Sequence, residues 1–123
     1  MSTPKQVIVI RKDLNMRKGK AISQGAHASL GAILNYKEND TLKLPAVVNE
    51  WLSGIYTKIC VSVDSESELL EIRDKAKEAG LNYKLIEDHG LTEFNGIKTL
   101  TCLAIGPDYP EKIDSITSHL KLF

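Results

Sequence analysis

Five cations crowd into one stretch of ten residues. Arg11, Lys12, Arg17, Lys18 and Lys20 have only Asp13 as a counter-charge there, although the 123-residue chain balances 16 basic against 16 acidic residues. A local excess in a neutral protein points to an anionic ligand held by a patch and not to a uniformly basic surface. Gly19 interrupts the run. Lys20, Gln24 and His27 then follow at i, i+4 and i+7, the spacing that lines polar side chains along one side of a helix. Lys20 and His27 would stand roughly 10 Å apart at about 1.5 Å per residue, too far to act on one bond. Much later in the chain, Glu87-Asp88-His89-Gly90 brings a carboxylate, and Thr99 and Thr101 bring hydroxyls.

Each of these groups also has an ordinary reading. Asp88 ahead of Gly90 is a good turn or cap residue. Lys20 is a solvated lysine in a first helical turn, slightly unfavourable beside the positive end of the helix dipole. His27 reads as a helix histidine satisfied by its neighbours, and Gln24 as a residue that fixes a loop. Their placement in a fold has to decide.

The elements that would place them follow from periodicity. Gln6 to Ile10 is a continuous β-branched run, as expected of a strand buried on both faces. A helix is predicted from about Lys20 to Leu34, with Ala21, Gly25, Ala28 and Ala32 forming a narrow stripe of small residues that lets it lie close to a sheet. Polar residues from Tyr36 to Lys43 make a surface connection. Pro45 opens a shorter helix that runs through Trp51 and Leu52 and stops at Gly54. Thr57 to Val63 is the second strand. Ser65 and Glu68 have capping-box spacing at the head of a helix carrying Leu69, Ile72, Ala76 and Ala79 inward, with Gly80 at its end. Tyr83 to Ile86 is a third strand, Glu87 to Lys98 a polar loop, and Thr99 to Ile105 a fourth strand ended by Gly106-Pro107. Pro110 starts a last helix whose inner face is Ile113, Ile116 and Leu120.

This order predicts an α/β protein, one three-layer α/β/α domain over residues 1–123 with helices on both faces of one sheet. Right-handed crossovers make the first three strands parallel, and the helix-free connection turns the fourth antiparallel to the third. Ligands collect beyond the carboxyl ends of strands in such a sheet. The Arg11 to Gly19 loop and the Glu87 to Gly90 loop leave from that end, and an antiparallel fourth strand starts there with Thr99 and Thr101. The first helix also begins there, so its unpaired N–H groups and dipole add to the cations as a phosphate cradle. Cys60 and Cys102, each inside an apolar run, are expected to be buried core thiols. With no signal-peptide pattern and no apolar run of about 18 residues, the chain is expected to be soluble and cytoplasmic, with no membrane role.

Over nearly its whole length the sequence resembles the type II peptidyl-tRNA hydrolases. The likeness rests on Arg11-Lys12-Asp13-Leu14 with Met16, on Lys18-Gly19-Lys20, on Gln24 and His27-Ala28, on Asp88 with Gly90 and Thr92, on Ala104-Ile105-Gly106-Pro107, and on His119-Leu120-Lys121-Leu122. It implies a four-stranded mixed sheet and hydrolysis of the ester joining a peptide to the 3′ end of tRNA. It further implies no metal and no organic cofactor, a homodimer, and peptidyl-tRNA rather than DNA as the partner. Lys20, Asp88 and Thr92 match the family's catalytic candidates: Asp88 as base or water-orienting group, Lys20 as electrostatic stabiliser, Thr92 as a positioning hydroxyl. Arg11, Lys12, Arg17 and Lys18 are then the phosphate contacts, and Gln24 and His27 face the substrate. The sequence departs from the family at His89, Leu91 and Glu93, where alanine, arginine and glutamine are common, and at Phe94-Asn95-Gly96, where a proline-containing turn is common. These changes remove a positive charge and add a negative one beside Asp88. A non-catalytic tRNA- or RNA-binding adaptor on the same fold is the alternative.

Overall fold

In the computed structural model, which describes residues 3–91 and 93–123, strand β1 (Lys5–Arg11) lies inside a four-stranded sheet of order β4-β1-β6-β5. Its apolar run leaves Gln6 to Ile10 buried, as a strand covered on both faces requires. β4 (Lys58–Val63) pairs parallel to β1, whereas β6 (Thr99–Asp108) runs antiparallel to both β1 and β5 (Tyr83–Asp88). The carboxyl ends of β1, β4 and β5 therefore share one edge with the start of β6, as the crossover rule predicts.

Alternation along the strands divides the core in two. Val7, Val9, Val61, Val63, Leu103 and Ile105 face α3 (Glu66–Glu78) and α4 (Pro110–Thr117), meeting Leu69, Ile72, Ala76, Ile113 and Ile116. Ile8, Ile10, Cys102 and Ala104 face α1 (Lys18–Leu34), which presents the fully buried Ala28 and Ala32. The small stripe brings α1 close enough to the strands for its first turn to sit directly over the sheet edge. α2 (Ala46–Ser53) packs Val48 and Trp51 against Ile33 at the other end of α1. The result is a three-layer α/β/α arrangement around a mixed sheet. Among the described residues, no helix is long and apolar enough to cross a membrane.

The helix starts follow their sequence signals. The Ser65 hydroxyl accepts from the Glu68 N–H at 3.1 Å, and Pro110 sits in the first turn of α4. Four expectations change. Gly106-Pro107 does not end β6, because pairing with β1 resumes past a register shift and joins Lys5 to Asp108. The Tyr36 to Lys43 connection folds into a small hairpin, β2 (Lys37–Glu38) and β3 (Thr41–Leu42), turned by Asn39 and Asp40 at φ of 49° and 65°. Ala79 is the exposed C-cap of α3. Cys60 is exposed while Cys102 is buried: β4 is an edge strand, and α1 packs chiefly over β6, β5 and β1. The outer edge of β4 is closed by the chain's last residues, with the Ser62 N–H donating to the Lys121 carbonyl and the Phe123 N–H to the Cys60 carbonyl.

Candidate active site

Three segments converge at the edge where β1 and β5 end. Asp88, the last residue of β5, lies opposite Thr99, and Lys20 projects from the first turn of α1. The Lys20 Nζ stands 2.7 Å from Asp88 Oδ1 across 68 residues of sequence, and the two side chains are only 12% and 13% exposed. Gln24, one turn further along α1, donates Nε2 to the same oxygen at 3.4 Å. The other oxygen, Oδ2, accepts from the Gly90 N–H at 2.8 Å. That last bond depends on glycine, since Gly90 has φ +77° and a Cβ would lie 2.7 Å from the backbone of Ile97.

These contacts set the charge on Asp88. The hydrogen bond from Lys20 holds its carboxyl below the usual range. Partial burial opposes that shift, and the Gly90 N–H and the charges of Lys20 and His89 reinforce it. Asp88 is therefore an anion at neutral pH, fixed by three donors.

Gln24 is held from behind. Its Oε1 accepts from the hydroxyl of the fully buried Thr101 at 2.6 Å, and its backbone carbonyl accepts from the Cys102 thiol at 3.2 Å. Strict alternation would send Thr101 and Cys102 to opposite faces. A β-bulge prevents this: Ile86 pairs with Cys102 and Glu87 with Leu100, so Thr101 is the extra, unpaired residue and its side chain turns toward α1. Burial pushes the Cys102 thiol up to about 12, which leaves it a hydrogen-bonding group without thiolate character.

Lys20 and Asp88 lie in an open cleft of about 640 Å³ whose walls include Arg17, Gln24, His27, His89 and Glu93. The Lys20 ammonium also lies 5.8 Å from the centre of the Phe94 ring, within cation–π range. Phe94, Asn95 and Gly96 all adopt positive φ. They are held by bonds from the Gly96 N–H to the Gly90 carbonyl and from the Ile97 N–H to the Phe94 carbonyl. At the cleft mouth Arg17 Nε stands 3.7 Å from Glu93 Oε1.

Of the residues singled out in the sequence, Arg17, Lys20, Gln24, His27 and Asp88 meet in this cleft. Arg11 is engaged within the fold, donating to both Asp13 oxygens at 3.2 and 2.7 Å and to the Leu100 carbonyl at 3.0 Å. Lys12 is exposed in a short 3₁₀ turn, and Lys18 lines a different groove across α1. Thr92 lies outside the described residues. Sequence reasoning missed the Glu93 ion pair and the Phe94 ring, and it placed Thr101 at this edge without its bond to Gln24. Chemically, a fixed carboxylate beside a largely covered ammonium can orient a water and stabilise a developing oxyanion.

A family model described as peptidyl-tRNA hydrolase PTH2 matches residues 4–123. The peptidyl-tRNA hydrolase of Methanocaldococcus jannaschii is 48% identical, over 96% of this chain and 98% of its own. That of Saccharolobus solfataricus is 40% identical, again over 96% and 98%. A probable peptidyl-tRNA hydrolase 2 of Dictyostelium discoideum is 41% identical over 97% of this chain and 54% of its own length. Among solved structures, a protein of unknown function from Agrobacterium tumefaciens shares the fold. It has a TM-score of 0.64 at 14% identity and covers 100% of this chain and 99% of that one.

Proposed function

The chain belongs to the peptidyl-tRNA hydrolase PTH2 family, and we propose that its hydrolysis of the ester between a peptide and the 3′ end of tRNA runs through the Lys20–Asp88 pair. The observation that carries this reading is that contact: an anion and a cation 2.7 Å apart, both largely covered, at the floor of an open cleft. A carboxylate with a lowered pKa is a weak base, so Asp88 acts first by accepting a hydrogen bond from the attacking water and aiming it at the ester carbon. As the C–O bond forms, the water's proton passes to Asp88 and then to the leaving ribose oxygen. The Lys20 ammonium stabilises the oxyanion on the former carbonyl. Thr92 is assigned the positioning hydroxyl on family likeness, and Gln24 holds Asp88 in register.

Hydrolysis of an N-acyl-aminoacyl-tRNA, followed as release of free tRNA, tests this directly. Asp88→Asn is expected to lower turnover by about 10²- to 10⁴-fold. Full turnover by a properly folded Asp88→Asn protein would refute the assignment. Binding without mutation-sensitive cleavage would favour the adaptor reading, which the family's hydrolase identity does not favour.

Phosphate contacts are proposed for Arg17 at the cleft and for Lys12 and Lys18 flanking it, with His27 along the wall and Arg11 bracing the loop. Recognition of this kind reads backbone rather than base identity. The protein is proposed to work in the cytoplasm as a homodimer. Support for the dimer comes from an apolar groove of about 820 Å³ on the far side of α1, which has only Lys18 and Lys58 as charged walls. Ile22, Leu30, Leu52, Tyr56 and Phe123 stand 42–73% exposed among the large apolar side chains, and these five all line it. Together they form one contiguous apolar patch of the kind that marks a protein–protein contact. One side of a homodimer interface needs about 800 Å², about 65% of it apolar.

A further inference from the structure

We infer that Glu93 is an internal competitor for the cation that grips the RNA phosphodiester, and so sets how tightly the cleft holds its substrate. The inference rests on RNA being the ligand of this cleft. Two carboxylates line the cleft among the described residues, Asp88 and Glu93. Both oxygens of Asp88 are taken by Lys20, Gln24 and the Gly90 N–H. Glu93 is the other anion of the cleft, and it stands opposite Arg17 at 3.7 Å.

The two partners differ in freedom. The Glu93 side chain is 21% exposed and belongs to the loop braced by the Gly90–Gly96 and Phe94–Ile97 backbone bonds, whereas the Arg17 side chain is 90% exposed. Arg17 also caps the start of α1, whose first turn has no acidic residue and no side-chain cap, so its positive dipole end is uncompensated within the helix. A phosphate arriving at this corner must draw Arg17 away from a carboxylate that stays in place. An exposed pair of this length is weak, so the exchange is easy and Glu93 tunes affinity without blocking the site. The salt dependence carries the signature. The Arg17–Glu93 attraction and the Arg17–phosphate attraction are both screened by salt, so the competition counts most at low ionic strength.

The test is equilibrium binding of deacylated tRNA across a salt series, together with KM for N-acyl-aminoacyl-tRNA. The proteins are the wild type, Glu93→Gln, Arg17→Gln and the double variant. Glu93→Gln is expected to tighten Kd and lower KM about two- to fivefold. It should also steepen the slope of log Kd against log salt, the gain being largest at low salt. Adding Arg17→Gln should abolish both gains. The inference falls if Glu93→Gln leaves Kd and slope unchanged or weakens binding, or if the gains survive loss of Arg17. A normal binding pattern with no hydrolysis in any variant would instead count against the catalytic assignment and leave this one standing.

Discussion

The two sides of α1 solve opposite problems. Toward the cleft, Lys20, Gln24 and His27 form a polar stripe whose first two members are held by Asp88 and Thr101 from segments more than 60 residues away. Toward the groove, Ile22, Ala26 and Leu30 form an apolar stripe beside Ile8, Ile10 and Cys60, and Ile22 and Leu30 stay in solvent. Polar groups at a site are useful only when fixed, so the cleft side is completed within one chain. Apolar surface gains only from being covered, which is why the homodimer interface is proposed on the groove side.

Two substitutions one turn apart or less break this contrast most sharply. Lys20→Ala removes the ammonium that neutralises Asp88, and kcat/KM is expected to fall by about 10²- to 10³-fold with the oligomeric state unchanged. Ile22→Asp puts a carboxylate into the groove face, where Ile22 is 73% exposed. Light scattering is expected to show monomer in place of dimer at micromolar concentration, with the fold intact by circular dichroism. If Ile22→Asp remained dimeric, the groove would not be the interface. If Lys20→Ala kept its activity, the cleft would not be the active site.

Thr101→Val sharpens the comparison at the next magnitude. It keeps the shape of a fully buried side chain but leaves Gln24 Oε1 without its donor, at a cost of about 1–3 kcal/mol for an unsatisfied buried acceptor. Chemical denaturation should read that loss, and KM and kcat should move with it because Gln24 loses its hold beside Asp88. A substitution with no effect on either would show that the bulge serves the sheet alone.

Which parts of this arrangement could be read from sequence depends on how local their causes are. β1, α1 and the capped start of α3 follow from runs and spacings of a few residues. The meeting of Lys20 with Asp88 follows from strand order and crossover handedness, which are general rules. Lys18 and Lys20 were grouped as one patch, yet residues two apart on a helix point to different sides, and Lys18 belongs to the groove. The sequence brings Thr101 to this edge but hides its bond to Gln24, because a bulge breaks the alternation on which strand reading rests. The Arg17–Glu93 and Lys20–Phe94 contacts depend on three successive positive φ values in one loop, which local propensity does not specify. The exposure of Cys60 is not legible in its apolar neighbours, which cannot reveal that β4 is an edge strand outside the main footprint of α1.

The smallest expected effect separates the two sides by acid. Asp88 has a folded pKa below its ordinary value of about 3.9, so its contribution to stability is present above that unfolded value and is lost as pH falls through the depressed one. On the proposed mechanism activity needs the anion, so the acid limb of kcat/KM should lie below the ordinary carboxylate range, and Asp88→Asn should remove that step from the stability profile. His89 helps to hold the carboxyl down through its positive charge, after the larger contributions of Lys20 and Gly90. His89→Ala is therefore expected to move the acid limb upward by a fraction of a pH unit. The side chains that line the groove include Lys18 and Lys58 and no carboxylate or histidine, so dimerisation is expected to change less than activity over the interval in which activity fades. A dimer that dissociated in step with the acid limb would show that the two faces of α1 are coupled.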